Sequence, residues 1–174
     1  MCCQKIPLSG NDPIDIKLSY CGRAWQTVRI EIGHNEIGDA DMAESALPTE
    51  MAEAFETLGF AKPKPLPVMK LSYQIAQKLH AVSSPGSDRA HDLIDLHLIM
   101  SHSTPDLREV KSVCERLFNY RKQQAWPPSV QNGIDWESLY QAAFATIRDA
   151  ESIAATVDEA ISWVNDFIGK IAKA

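Results

Sequence analysis

The sequence predicts an α+β chain in which a partial sheet, built on an N-terminal β-hairpin, is followed by a mostly α-helical C-terminal part. Three observations carry this prediction. Apolar and polar residues alternate with period two between Ile14 and Ile32, as in half-buried strands. The stretch Lys62-Pro63-Lys64-Pro65-Leu66-Pro67 cannot be helical, because each proline lacks an N–H and disfavours helix in the residue before it. After Val68 the apolar residues recur at helical spacing. These features divide the chain into residues 1–68 and residues 69–174.

Taken in order, Ile14, Ile16, Leu18 and Tyr20 alternate with Asp15, Lys17 and Ser19 to make the first strand. Cys21-Gly22-Arg23-Ala24 supplies a turn. Val28, Ile30 and Ile32 alternate with Thr27, Arg29 and Glu31 to make the second strand. A polar loop covers His34 to Asp41, and a short helix over Glu50–Leu58 stops at Gly59. The proline-rich stretch is then an extended connector. A helix over Leu71–Val82 closes at Ser83-Ser84-Pro85-Gly86. The next runs from Ser87 or Asp88 to Ser101, and a third covers Asp106–Gln124 with Leu107, Val110, Cys114, Leu117 and Phe118 on one face. Trp126-Pro127-Pro128 breaks the chain before a helix over Asp135–Ala150. Thr156-Val157-Asp158-Glu159 spells a capping box that opens the last helix.

Bulk properties exclude several classes. With 174 residues, 45% hydrophobic and 23% charged, the chain can bury a core. A net charge of −6 argues against a broadly basic nucleic-acid binder, although residues 103–125 hold five basic and three acidic side chains. Cys2, Cys3, Cys21 and Cys114 form no C-x-x-C pair and have no zinc-ligand spacing. No signal-peptide pattern and no membrane-length apolar run occurs, so a cytoplasmic setting without a membrane partner is expected.

The chemistry concentrates in two helices. At 100° per residue, Lys78 falls at about 340° from Leu71, inside the apolar stripe of Ile75, Leu79 and Val82. A lysine there either packs its stem and reaches water, or points into a cleft to hold a phosphate or carboxylate. On the following helix Asp92 and Asp95 share one stripe with Asp88, on a helix apolar around most of its circumference. Asp88 suits the positive end of the helix dipole. Asp92 and Asp95, read as lying deeper, need cationic partners, Lys78 first and Arg89 next. A structural Lys–Asp clamp stands beside a ligand site as the alternative. His80 falls on the polar side of its helix, His91 faces away from Asp92, and His97 reads as a packed histidine. Asp39-Ala40-Asp41 spells D-x-D in a polar loop, where turn chemistry is the simpler role. Glu31 lies on the polar face of a strand, as a metal-binding acid or as a solvent-facing one.

The segments Gln74-Ile75-Ala76-Gln77-Lys78-Leu79-His80-Ala81-Val82 and Arg89-Ala90-His91-Asp92-Leu93-Ile94-Asp95-Leu96 resemble the paired "A-x-K-L-H-A … R-x-x-D-L-x-D-L" signature of the AbiEii/AbiGii-type nucleotidyltransferase toxins. The resemblance implies a polymerase-β-like nucleotidyltransferase fold, with residues 1–68 as a remnant of its sheet. It implies that Lys78, with Arg89, contacts nucleotide phosphates, that Asp92 acts as a base or orients the lysine, and that Asp95 and Glu31 support them. Mg²⁺ and an NTP are the implied cofactor and substrate, an RNA such as tRNA or a protein the acceptor, and an antitoxin the partner, in abortive infection or a toxin–antitoxin pair. The family's Gly-Ser turn and strand-borne D-x-D are expected ahead of the hairpin. Here Gly86-Ser87 follows Lys78, and Asp39-Ala40-Asp41 follows both strands. The expectation is therefore a truncated or split member, or a catalytically inactive module that forms a homo-oligomer or docks on an antitoxin.

Overall fold

A computed structural model describes residues 13–31, 33, 35–147 and 150–174. Cys2, Cys3, Ile32 and His34 lie outside the described residues. The chain folds as α+β, with two small antiparallel sheets and a helical body. Its contacts form two compact units, one ending at Glu36 and the other comprising Ile37–Ala174.

The first unit contains β1 (Ile14–Tyr20) and β2 (Arg23–Ile30), paired antiparallel with Ile14 opposite Ile30 and Ile16 opposite Val28. Its turn is two residues rather than four. Cys21 and Gly22 both take positive φ, 49° and 74°, as a primed hairpin turn requires, so pairing resumes at Arg23. The alternation places Ile14, Ile16, Leu18, Val28 and Ile30 on one face. The sequence predicts that face half-buried, but Ile16 is 42% and Val28 41% exposed, because among the described residues the hairpin has no second layer to cover it. β2 also ends one residue before Glu31, which is exposed just beyond the strand, with Oε1 4.0 Å from Arg29 Nε.

The second unit begins with β3 (Glu44–Ala46), α1 (Thr49–Thr57) and β4 (Leu66–Val68). β3 and β4 pair over three residues, so the end of the proline-rich stretch is a short strand as well as a connector. Pro67 is tolerated because both strands of this sheet are edges. Gly59, at φ 76°, ends the α1 segment as its position in the sequence predicts.

The body consists of α2 (Leu71–Ser83), α3 (His91–His102), α4 (Leu107–Arg121), α5 (Trp136–Phe144) and α6 (Val157–Lys173). α2 packs on α3 and α4, while α6 packs on α3, α4 and α5. Ile75, Leu79, Leu93, Leu96, Val110, Leu117, Trp136, Tyr140, Val164 and Ile171 form one buried core across all five. Helix bounds differ from expectation: α4 ends at Arg121 rather than Gln124, with Lys122 as a left-handed cap, and two further helices depart from their predicted ends. α3 starts at His91 rather than Ser87, because Ser87 Oγ accepts from Arg89 N in a turn and Ala90 occupies the cap. α5 ends at Phe144 rather than Ala150, tightening through Ala145 N to Gln141 O and Ile147 N to Phe144 O. The α6 capping box forms as read, with Thr156 and Glu159 satisfying each other's backbone N–H. Among the described residues no helix is long and apolar enough to cross a membrane.

Candidate functional site

The packed pair α2 and α3 positions the site. Lys78 leaves α2 on the flank of its buried stripe, where Ile75, Leu79 and Val82 anchor the helix in the core. Its Nζ donates to Asp92 Oδ1 at 2.8 Å and to Asp95 Oδ2 at 2.5 Å. Arg89 Nε donates to the other oxygen of Asp92 at 3.0 Å. Asp92 is 0% exposed, so it depends on these two cations, whereas the Asp95 side chain is 42% exposed. Lys78, Arg89, Asp92 and Asp95 therefore form one network, in the pairing the sequence predicts.

The later start of α3 changes the reading of its acids. Asp88 lies before the helix, and Asp92 falls in its first turn, at the positive end of the helix dipole. Burial of the Lys78 amine lowers its pKa, but the hydrogen bonds to Asp92 and Asp95 outweigh burial and hold it above the ordinary 10.5. The bond to Asp92 likewise raises Arg89.

Beside it lies a pocket of about 190 Å³. Lys78, Arg89 and Asp92 line one part, Gln74 and Gln77 of α2 another, and Arg121 enters from the last turn of α4. Gln77 Nε2 donates to Asp39 Oδ2 at 2.8 Å, and Asp39 Oδ1 accepts from Ala40 N, so this acid of the D-x-D sequence is 4% exposed and serves a turn. A larger depression, about 600 Å³, lies between Glu115 and Trp126 at the end of α4. It lacks the converging cations.

Three histidine readings meet the structure differently. His80 is not on a polar side: it is 2% exposed, because α4 covers that flank of α2, and its ring meets Phe118 edge-on at 4.9 Å. His91 does not face fully away, since its Nε2 lies 3.8 Å from Asp92 Oδ1. His97 is packed as read, stacked on Trp163 at 3.8 Å, and burial lowers its pKa from 6.5. Glu31 belongs to the first compact unit, outside the body that carries Lys78. Arg121 and the two glutamines were not legible as site residues, because only the crossing of α4 over α2 brings Arg121 to the pocket.

The arrangement brings Lys78, Arg89 and Arg121 to the lining of one pocket. Its fit to Mg²⁺ is poor, since both Asp92 oxygens are engaged by cations and Lys78 holds one oxygen of Asp95. Among the described residues no group of three or more His, Cys, Asp and Glu stands together to hold a metal.

A hairpin and a helical body bearing a Lys–Asp–Asp network agree with a nucleotidyltransferase-like toxin. The model of the family described as "Nucleotidyl transferase AbiEii toxin, Type IV TA system" matches residues 7–163, and the chain belongs to that family. No curated protein matches the chain.

Proposed function

We propose that this chain binds a nucleoside triphosphate through Lys78 and Arg89 and serves transfer of its nucleotide to an RNA acceptor, as a cytoplasmic toxin neutralised by an antitoxin. The observation that carries this reading is Lys78 held between a buried and an exposed carboxylate beside a pocket. Asp92 keeps the ammonium fixed. Asp95, already solvated, is the acceptor a phosphate oxygen replaces at least cost, so ligand binding exchanges one anion for another on a preoriented cation. Both oxygens of Asp92 accept bonds, which favours orientation of Lys78 over service as a base. Two-metal transfer needs carboxylates that hold the ions, and among the described residues no group of three or more His, Cys, Asp and Glu stands together. Incubation with Mg²⁺, tRNA and each labelled NTP tests the reading. Label entering RNA, lost in Lys78→Ala, is the expected result; no transfer and no nucleotide binding by the folded protein contradicts it.

A second reading is an inactive interaction module that pairs with an antitoxin or with itself. It is favoured by β1–β2, whose edges have no strand neighbour among the described residues and whose Tyr20 and Trp25 are each 73% exposed. Gel filtration with light scattering decides it. A clean monomer at high concentration, unchanged by co-expressed antitoxin, removes this reading.

A further inference from the structure

We infer that α1 and the turn behind it form a docking face for a basic amphipathic segment of a partner protein. The face lies in the second compact unit, uses none of the residues of the nucleotide-binding reading, and stands independently of it.

The helix is short and unsupported. α1 has nine residues, and among the described residues it packs against no other helix or strand. A helix of that length is marginal in water unless one of its faces is packed. Its N-cap, Pro48, supplies no side-chain hydrogen bond. Its other end is well closed: Gly59 N donates to Glu56 O at 3.0 Å and Phe60 N to Phe55 O at 2.9 Å, the paired bonds of a Schellman ending. That ending accounts for the edge-on contact of Phe55 and Phe60, whose ring centroids lie 6.1 Å apart. It does not cover them. Met51, Phe55 and Leu58 recur at i, i+4 and i+7 and share one side of the helix. All three are exposed, Leu58 by 70%, and Phe60 follows them at 63%. Only Ala52 of α1 is buried. Apolar side chains gathered in this way mark a surface that a partner covers.

Charge selects the partner. Residues 37–61 carry Asp39, Asp41, Glu44, Glu50, Glu53 and Glu56 and no Lys, Arg or His, so this stretch supplies the whole of the chain's net charge of −6. Glu50, Glu53 and Glu56 lie on the sides of α1 that the apolar stripe leaves, are exposed, and enter no ion pair among the described residues. Their field repels nucleic acid and anionic membranes. It also disfavours the α1 of a second copy, which would bring the same glutamates against these. The occupant it attracts is a protein segment with apolar side chains on one side and Lys or Arg around them.

The test is fluorescence anisotropy of a labelled, helix-forming Leu/Lys peptide titrated with the full chain, beside a twin peptide carrying Glu for Lys. The wild type is expected to bind the Lys peptide and not its twin. Leu58→Ser with Phe60→Ser, both outside the core, should weaken binding at least about tenfold. Glu53→Gln with Glu56→Gln should weaken it about threefold at low salt. Tyr120→Ser, which removes an exposed aromatic on α4, should leave it unchanged, and circular dichroism verifies the fold of each variant. Binding that survives Leu58→Ser with Phe60→Ser, equal binding of the two peptides, or no binding by the folded wild type overturns the inference. A dimer in light scattering that the same double variant dissociates also overturns it, because the occupant is then a second copy.

Discussion

Asp92 is a carboxylate taken wholly out of water, and two cations make that tolerable. Removing the charge while keeping the shape isolates their contribution. Asp92→Asn leaves Lys78 and Arg89 facing a neutral amide, and Asp92→Ala leaves a void as well; either is expected to cost about 3 kcal/mol in urea unfolding. Lys78→Met, which keeps the packed stem, should cost less than Asp92→Ala, since Arg89 still serves the acid. The pH sense follows from the raised Lys78 pKa. The folded value lies above the unfolded 10.5, so this contribution is fully present below about pH 10.5 and is lost only as pH rises through the folded value. His97 acts in the opposite window. Its folded pKa lies below 6.5, so the stability it supplies is present above pH 6.5 and is lost as pH falls through the depressed value. Melting temperature should therefore decline on acidification below pH 6.5, and His97→Phe, which preserves the stack on Trp163, should flatten that decline. Identical acid slopes for the two proteins would contradict this assignment.

At the level of elements, caps and tight approaches decide where helices begin. Thr156→Ala removes half of the α6 capping box and is expected to cost about 1 kcal/mol by chemical denaturation. Gly133 precedes α5 by three residues, and a Cβ there would stand 2.7 Å from Trp136 Cδ1. Trp136 cannot yield easily, being 1% exposed with Nε1 donating to Ser87 O at 2.6 Å. Gly133→Ala should therefore destabilise by about 1–3 kcal/mol, visible as a lowered melting temperature.

The same scale shows what the residue order could reveal. The stripe that placed Lys78 at the edge of the core is a property of one helix, so it was legible without knowing any neighbour. The Lys78–Asp92–Asp95 pairing needed only two consecutive helices with a short connection. The start of α3 was misplaced because Ser87-Asp88 looks like a helix cap, whereas the Ser87 hydroxyl instead closes a turn onto Arg89 N. β3 and β4 escaped because three-residue strands exist only through each other. His80 and Arg121 escaped because the flank that looks polar on α2 alone is the one α4 covers.

Across the whole molecule, the family model matches residues 7–163, and the helical body holds the Lys78–Asp92–Asp95 network. The site offers cations and already engaged carboxylates, so its central claim is phosphate binding at Lys78. Isothermal titration of the four NTPs with Mg²⁺ into wild type and Lys78→Ala, both verified as folded, tests that claim most directly. Binding of at least one NTP by the wild type, weakened at least about tenfold in the variant, is the predicted result. Equal affinities, or a folded wild type that binds none of the four, would contradict it.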